Sequence, residues 1–130
     1  MAVEIDQQGA VRIIKMAGQA STQSFSMAFL PEIAAAIDKG LKDNATKAIV
    51  LTGDGRFFSA GADINAFQES FESNSAPELI RNLTGILHPL LMRIRTSSTI
   101  VVAALNGVSA GGGLGLGGLG LLDCADHLFH

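Results

Sequence analysis

FFSAGADI, from Phe57 to Ile64, is the stretch whose reading decides the fold. Two aromatic residues suited to extended chain run into Ser59-Ala60-Gly61-Ala62, and Asp63-Ile64 then leads toward a helix. A second stretch of the same design, NGVSAGGGLG, lies at Asn106 to Gly115. Small residues after a strand let a ligand approach the backbone closely. A helix that follows leaves free N–H groups directed at that ligand. Two such N–H groups aimed at one point make an oxyanion hole, which stabilises a carbonyl oxygen as it gains negative charge. The two stretches together read as that device.

Outward from them, each motif follows a β-type run. KAIVLT, Lys47 to Thr52, is continuous, apolar and β-branched, so it predicts a buried strand, and Gly53-Asp54-Gly55 predicts a turn. TIVVAAL, Thr99 to Leu105, predicts another buried strand closed by an Asn106-Gly107 turn. Upstream, Val3–Ile5 and Val11–Met16 flank Gln7-Gln8-Gly9 as a hairpin, and Ala17 to Phe25 reads as a loop. Phe29, Ile33, Ile37 and Leu41 then recur at helical spacing behind a possible Ser26 cap. Pro31 delays the start of that helix to Leu30, and Gly40 or Asp43-Asn44 ends it.

Asn65 to Ser75 is polar and reads as a mobile loop over a pocket. Ser75-Ala76-Pro77-Glu78 has the form of a capping box with an early proline. The helix it opens carries Leu79, Leu83, Leu90 and Ile94, and Pro89 is expected to kink or split it. Strands alternating with helices argue for an α/β fold with parallel pairing and crossover helices.

Bulk properties narrow the function. With 130 residues, 48% apolar and 16% charged, the chain is one domain, residues 1–130, with enough apolar content for a core. Net charge is −3 and no Lys/Arg cluster stands out, so neither nucleic acid nor an anionic membrane is an expected partner. The single Cys124 rules out an intrachain disulfide framework and suits a reducing, cytoplasmic setting. No signal peptide is recognisable. Ile100 to Leu122 is uncharged over 23 residues, yet its eight glycines and missing aromatic anchors fit a strand and Gly-rich turn better than a membrane span.

FFSAGADI, the preceding KAIVLTGDGR, and TIVVAALNGVSAGGGLG together resemble the enoyl-CoA hydratase/isomerase (crotonase) superfamily, over roughly Val3 to Leu116. The resemblance implies a crotonase-like spiral of β-β-α units that binds acyl-coenzyme A thioesters. Its oxyanion hole takes one backbone N–H from each motif, which here means Ala62 in SAGAD and Gly112 in AGGGL. Removing one such donor costs about 2.7–4 kcal/mol of barrier. Ala60, Gly61 and Ile64 would lie beside the coenzyme A moiety, which is part of the substrate; no separate cofactor is implied. The early loop differs, with Gln23-Ser24-Phe25-Ser26 where the family often reads Asn-Ala-Leu-Ser.

Gly115 stands where family hydratases place a catalytic Glu. Moving a proton to and from water takes two positioned carboxylates, so hydration loses a partner here. Family members also run to roughly twice this length, and the other half supplies the second carboxylate and a helical trimerisation region. The chain therefore reads as the family's truncated N-terminal half. Its tail, residues 116–130, diverges: Cys124 comes eleven residues after Gly113, where the family's Cys-Asp pair follows after about seven. A truncated or frame-shifted gene has this appearance, which resequencing the locus tests.

Other residues bear weaker chemistry. His88 lies 24 residues before Gly112, near the spacing of a general-base histidine in a dehalogenase branch of the superfamily. That branch also needs an aspartate nucleophile and a tryptophan, and this chain has no Trp. A histidine before Pro89 on an amphipathic helix is more often a surface or capping residue. Gly113-Gly115-Gly118 satisfies a dinucleotide-binding pattern, as almost any glycine run does, and the acidic residue about 20 positions on would fall past residue 130. Asp63 reads as a helix cap, and Glu69 and Glu72 as solvated. Asp123, Cys124, Asp126, His127 and His130 have metal-ligand types but no compact spacing, so no metal is expected.

Two functions follow. The first is an isomerase-like family enzyme that polarises a thioester and shifts a proton at the α-carbon. The second is a catalytically inactive binding or interaction protein that keeps the fold. Either is expected to self-associate, since a half-length spiral exposes apolar surface.

Overall fold

In a computed structural model, residues 3–17, 23–59, 61 and 64–109 are described. β1 (Val3–Gln8) and β2 (Val11–Met16) form an antiparallel hairpin, with Val3 opposite Met16 and Gln8 opposite Val11. The strand thus runs through the expected Gln7-Gln8 turn, leaving Gly9-Ala10 as a two-residue connection. β3 (Ala48–Gly53) lies parallel to β2, and β5 (Ile100–Ala104) parallel to β3, giving a sheet of order β1-β2-β3-β5. β4 (Phe57–Ser59) and β6 (Val108–Ser109) pair in parallel as a second, small sheet. The chain therefore advances in β-β-α steps. The first strand pair stays in the large sheet, and later pairs send their second strand to the small one.

Between these strands come α1 (Leu30–Lys42), α2 (Ile64–Glu72) and α3 (Ala76–Thr96). α1 and α3 help cover one face of the large sheet. Ile14, Met16, Ile49, Leu51, Val101 and Ala103 are buried there with Ile33, Ile37, Leu90 and Ile94 from the two helices. The alternate β3 residues Ala48, Val50 and Thr52 are only half-buried. β3 and β5 are thus one-sided strands, not the fully buried ones that their apolar runs suggested. Among the described residues, no helix is long and apolar enough to cross a membrane.

Helix ends follow local chemistry. Pro31 sits in the first turn of α1, where its missing N–H leaves no bond unmade. Ser26 does not cap α1 itself. Its Oγ accepts the Phe29 N–H at 3.0 Å and its carbonyl accepts the Leu30 N–H at 2.9 Å, closing the turn just before the helix. Asp43 ends α1, and its carboxylate accepts the Thr46 hydroxyl at 2.8 Å and the Ala45 N–H at 3.0 Å. Those two bonds, first Thr46 and then Ala45, hold the Asp43 carboxyl below its ordinary range, with smaller help from Arg12 and Lys47. Arg93 on α3 grips Asp38 on α1 with two bonds of 2.8 and 2.9 Å.

Three expectations are corrected. Residues 64–72 are helix, not loop: Ile64, Phe67 and Phe71 fall at i, i+3 and i+7, a helical face masked by the polar residues between them. Ser75 precedes α3 without capping it, because its hydroxyl faces Ser73 Oγ at 2.8 Å and the Ser70 carbonyl at the end of α2. Pro89 does not split α3. Leu83 before it and Leu90 and Ile94 after it are buried in one core, so packing holds both sides of the proline in a single helix.

Candidate functional site

The two motifs are brought together by the end of β3 and the end of β5. Asn106, just past β5, places its side-chain amide inside the Gly53–Phe57 turn. Its Oδ1 accepts the Gly53 N–H at 2.9 Å, while Nδ2 donates to the carbonyls of Gly55 at 2.9 Å and Phe57 at 3.0 Å. The Val108 N–H then donates to the Arg56 carbonyl at 3.0 Å, which starts the β4–β6 pairing. Backbones approach closely here. A Cβ on Gly107 would collide with the Arg56 carbonyl, and one on Gly53 would collide with the Phe57 carbonyl and meet Asn106 Oδ1 at 2.8 Å. Glycine at both positions is what lets the two chains touch.

Along the small sheet Phe57 pairs with Val108 and Ser59 with Ser109, so β4 carries one extra residue, Phe58. This register shift accounts for two consecutive buried residues, Phe58 and Ser59, in a strand that should alternate. Phe58 belongs to the core and anchors the small sheet to it. The Ser59 hydroxyl donates to the Gln23 carbonyl at 2.8 Å and accepts the Gly61 N–H at 3.1 Å. The Gly61 carbonyl in turn accepts the Phe25 N–H at 2.6 Å. Gly61 is buried at φ +87°, where a side chain would be strained. The Gln23–Ser26 segment is therefore tied to Ser59 and Gly61, and the Gln23 amide adds a bond to the Asp54 carbonyl at 2.7 Å.

Ser59→Ala is expected to destabilise the protein by about 2 kcal/mol, because the Gln23 carbonyl and the Gly61 N–H both lose a buried partner. Urea unfolding of the variant measures this; an unchanged midpoint would mean that the hydroxyl does not hold the turn.

Of the residues singled out by sequence, Gly61 is placed at the mouth of β4 and Ile64 opens α2. Ala60, Ala62 and Gly112 lie outside the described residues, as do Gly115 and the tail residues Asp123, Cys124, Asp126, His127 and His130. The two motifs are adjacent at Ser59 and Ser109. His88 is exposed on α3, whose main helical packing is against α1 and α2. Asn106, Ser59 and Gln23 went unread as site residues. Its local sequence marks Asn106 only as a turn former, and nothing local shows that its amide reaches across 53 positions to β3. A shallow apolar groove lined by Val3, Ile5, Ala35 and Ala36, with Glu32 and Lys39, lies between β1 and α1 and includes neither motif. Among the described residues, no cluster of three metal-ligating side chains occurs.

Comparison with known proteins agrees with this arrangement. The enoyl-CoA hydratase/isomerase family model matches residues 6–122. The chain is 34% identical over 93 residues to a probable enoyl-CoA hydratase of Bacillus subtilis (strain 168), covering 72% of this chain and 34% of that protein. It is 33% identical over 97 residues to 1,2-epoxyphenylacetyl-CoA isomerase of Escherichia coli (strain K12), covering 73% of this chain and 37% of that protein. The crystal structure of an enoyl-CoA hydratase from Bacillus anthracis superposes with a TM-score of 0.79 over 92% of this chain and 45% of that one, at 24% identity, which shows the shared fold. The chain thus spans about a third of the curated relatives and under half of the solved structure. A matching family model over most of its length, two adjacent Gly-rich motifs and the β-β-α spiral place the chain in the enoyl-CoA hydratase/isomerase family, with a crotonase-type fold.

Proposed function

We propose that this chain binds an acyl-CoA thioester and polarises its carbonyl between the backbone N–H groups of Ala62 and Gly112. The observation that supports this reading is the Asn106 clamp together with the β4–β6 pairing, which sets Ser59 and Ser109, each three residues before one of the two donors, side by side. Stabilising the enolate oxygen lowers the barrier to removing a proton from the α-carbon. Isomerisation fits better than hydration, because Gly115 takes the place of a hydratase carboxylate and leaves no second group to activate water. The base that moves the proton is not assigned: His88, the histidine the sequence offers, is exposed on α3. The relatives include proteins named for each chemistry, a hydratase and an isomerase.

The second reading is a family member that binds the thioester or a protein partner without turnover, favoured by the same glycine at position 115. Assays with crotonyl-CoA for hydration and a 3-enoyl-CoA for isomerisation separate the two. Isomerisation above hydration supports the first reading. Binding of crotonyl-CoA without either reaction supports the second, and no binding at all overturns the common site.

Under both readings the protein works in a reducing compartment and associates with further copies of itself. Ile80, Met92 and Ile100 leave large apolar side chains exposed, and such surface commonly marks contact sites. Sedimentation of a stable monomer would refute the association.

A further inference from the structure

Ser109 is the last residue of β6 and stands opposite Ser59, yet the two hydroxyls fare differently. Ser59 has both a donor and an acceptor partner. The Ser109 Oγ is out of reach of solvent and, among the described residues, meets no hydrogen-bond partner. Among the described residues, the other such side-chain atom is Arg12 Nε, one of several donors on its guanidinium, whereas a serine has a single hydroxyl. A buried hydroxyl left unmatched works against folding, and unmatched groups of this kind call for a physical reason. The two serines head the same tripeptide, Ser59-Ala60-Gly61 and Ser109-Ala110-Gly111. In the first copy the hydroxyl holds Gly61, through the bond it accepts from that residue's N–H. In the second it meets no partner among the described residues, at the very end of the strand that leads into the glycine run.

We propose that the Ser109 hydroxyl is a ligand-binding donor, held in reserve for an acceptor oxygen of the acyl-CoA thioester; this rests on the function proposed above. Binding supplies the partner that the free protein lacks. The side chain therefore acts in opposite directions on the two states: it weakens the empty protein and strengthens the complex. A purely structural serine would not divide its effects in this way.

Calorimetric titration of the full chain with crotonyl-CoA, alongside thermal unfolding without ligand, tests the inference. Ser109→Ala is expected to bind crotonyl-CoA about tenfold more weakly, the size of one neutral hydrogen bond. Its unliganded Tm is expected to rise by about 3 °C. Ser109→Cys, close in size and a weaker donor, is expected to fall between alanine and wild type in affinity and keeps the test open should the alanine variant misfold. Wild-type affinity in Ser109→Ala, or a lower unliganded Tm, overturns the inference while leaving the proposed function standing. Absence of crotonyl-CoA binding by the wild type removes both.

Discussion

Asn106→Ala is expected to lower the free energy of unfolding by about 3 kcal/mol, more than loss of a typical single hydrogen bond. One amide serves the Gly53 N–H and the carbonyls of Gly55 and Phe57, and alanine leaves all three without that partner. Water can re-solvate the more exposed Gly55 carbonyl, so the effect stays below the sum of three fully buried losses. Asn106→Asp discriminates further. Its second oxygen would face two carbonyls where Nδ2 now donates, adding repulsion to the lost bonds, so aspartate is expected to be worse than alanine at neutral pH. Urea unfolding gives both energies, and hydrogen exchange at the Val108 amide reports whether the β4–β6 start has opened. An alanine variant within about 0.5 kcal/mol of wild type would show that the clamp is dispensable.

Gly107→Ala is expected to destabilise by about 3 kcal/mol through a single methyl group, at the upper end of usual overpacking costs. The atom that its Cβ meets is the Arg56 carbonyl oxygen, part of the backbone and unable to swing aside like the end of a flexible side chain. That carbonyl is also the acceptor for Val108 N–H. Relief of the clash by moving Arg56 therefore breaks the first bond of the small sheet and shifts the turn that Asn106 holds. Gly107 and Asn106 act on one structure, so the double variant is expected to lose less than the two single losses added together. Additive losses would mean that the turn and the strand pairing are independent. Binding of crotonyl-CoA should weaken in both single variants, because both loosen the alignment of the motifs.

Much of this fold was legible in the chain. The hairpin, β3, β5 and α1 announce themselves through turn residues, β-branched apolar runs and helical spacing, and the structure buries Ile14, Ile49, Leu51, Ile33 and Ile37, although the period-two, one-sided character of β3 and β5 emerges only in the fold. α2 escaped because its apolar residues are widely spaced among polar ones and its neighbours look like a loop. The Ser75 cap failed for a tertiary reason: α2 ends close enough to draw the hydroxyl away. The two Gly-rich motifs were evident, but their relative register was not. A one-residue shift at Phe58 sets Ser59 against Ser109, and such a shift depends on the core pulling Phe58 inward. The Asn106 clamp was hidden for the same kind of reason, since its partners exist only once β3 and β5 are neighbours.

That dependence has a kinetic side. The bond from Gly53 to Asn106 joins residues 53 positions apart, and its geometry requires the β3–β5 pairing to be in place already. The small sheet is therefore expected to assemble late, after the large sheet and its helices have collapsed around the core. Substitutions at Asn106 or Gly107 should accelerate unfolding while leaving the folding rate almost untouched, the behaviour of residues whose contacts form after the rate-limiting step. In the native state the same order runs in reverse. Parting β4 from β6 while the large sheet stays folded is the expected local opening, and under the function proposed above a bound thioester would slow hydrogen exchange at the Val108 amide.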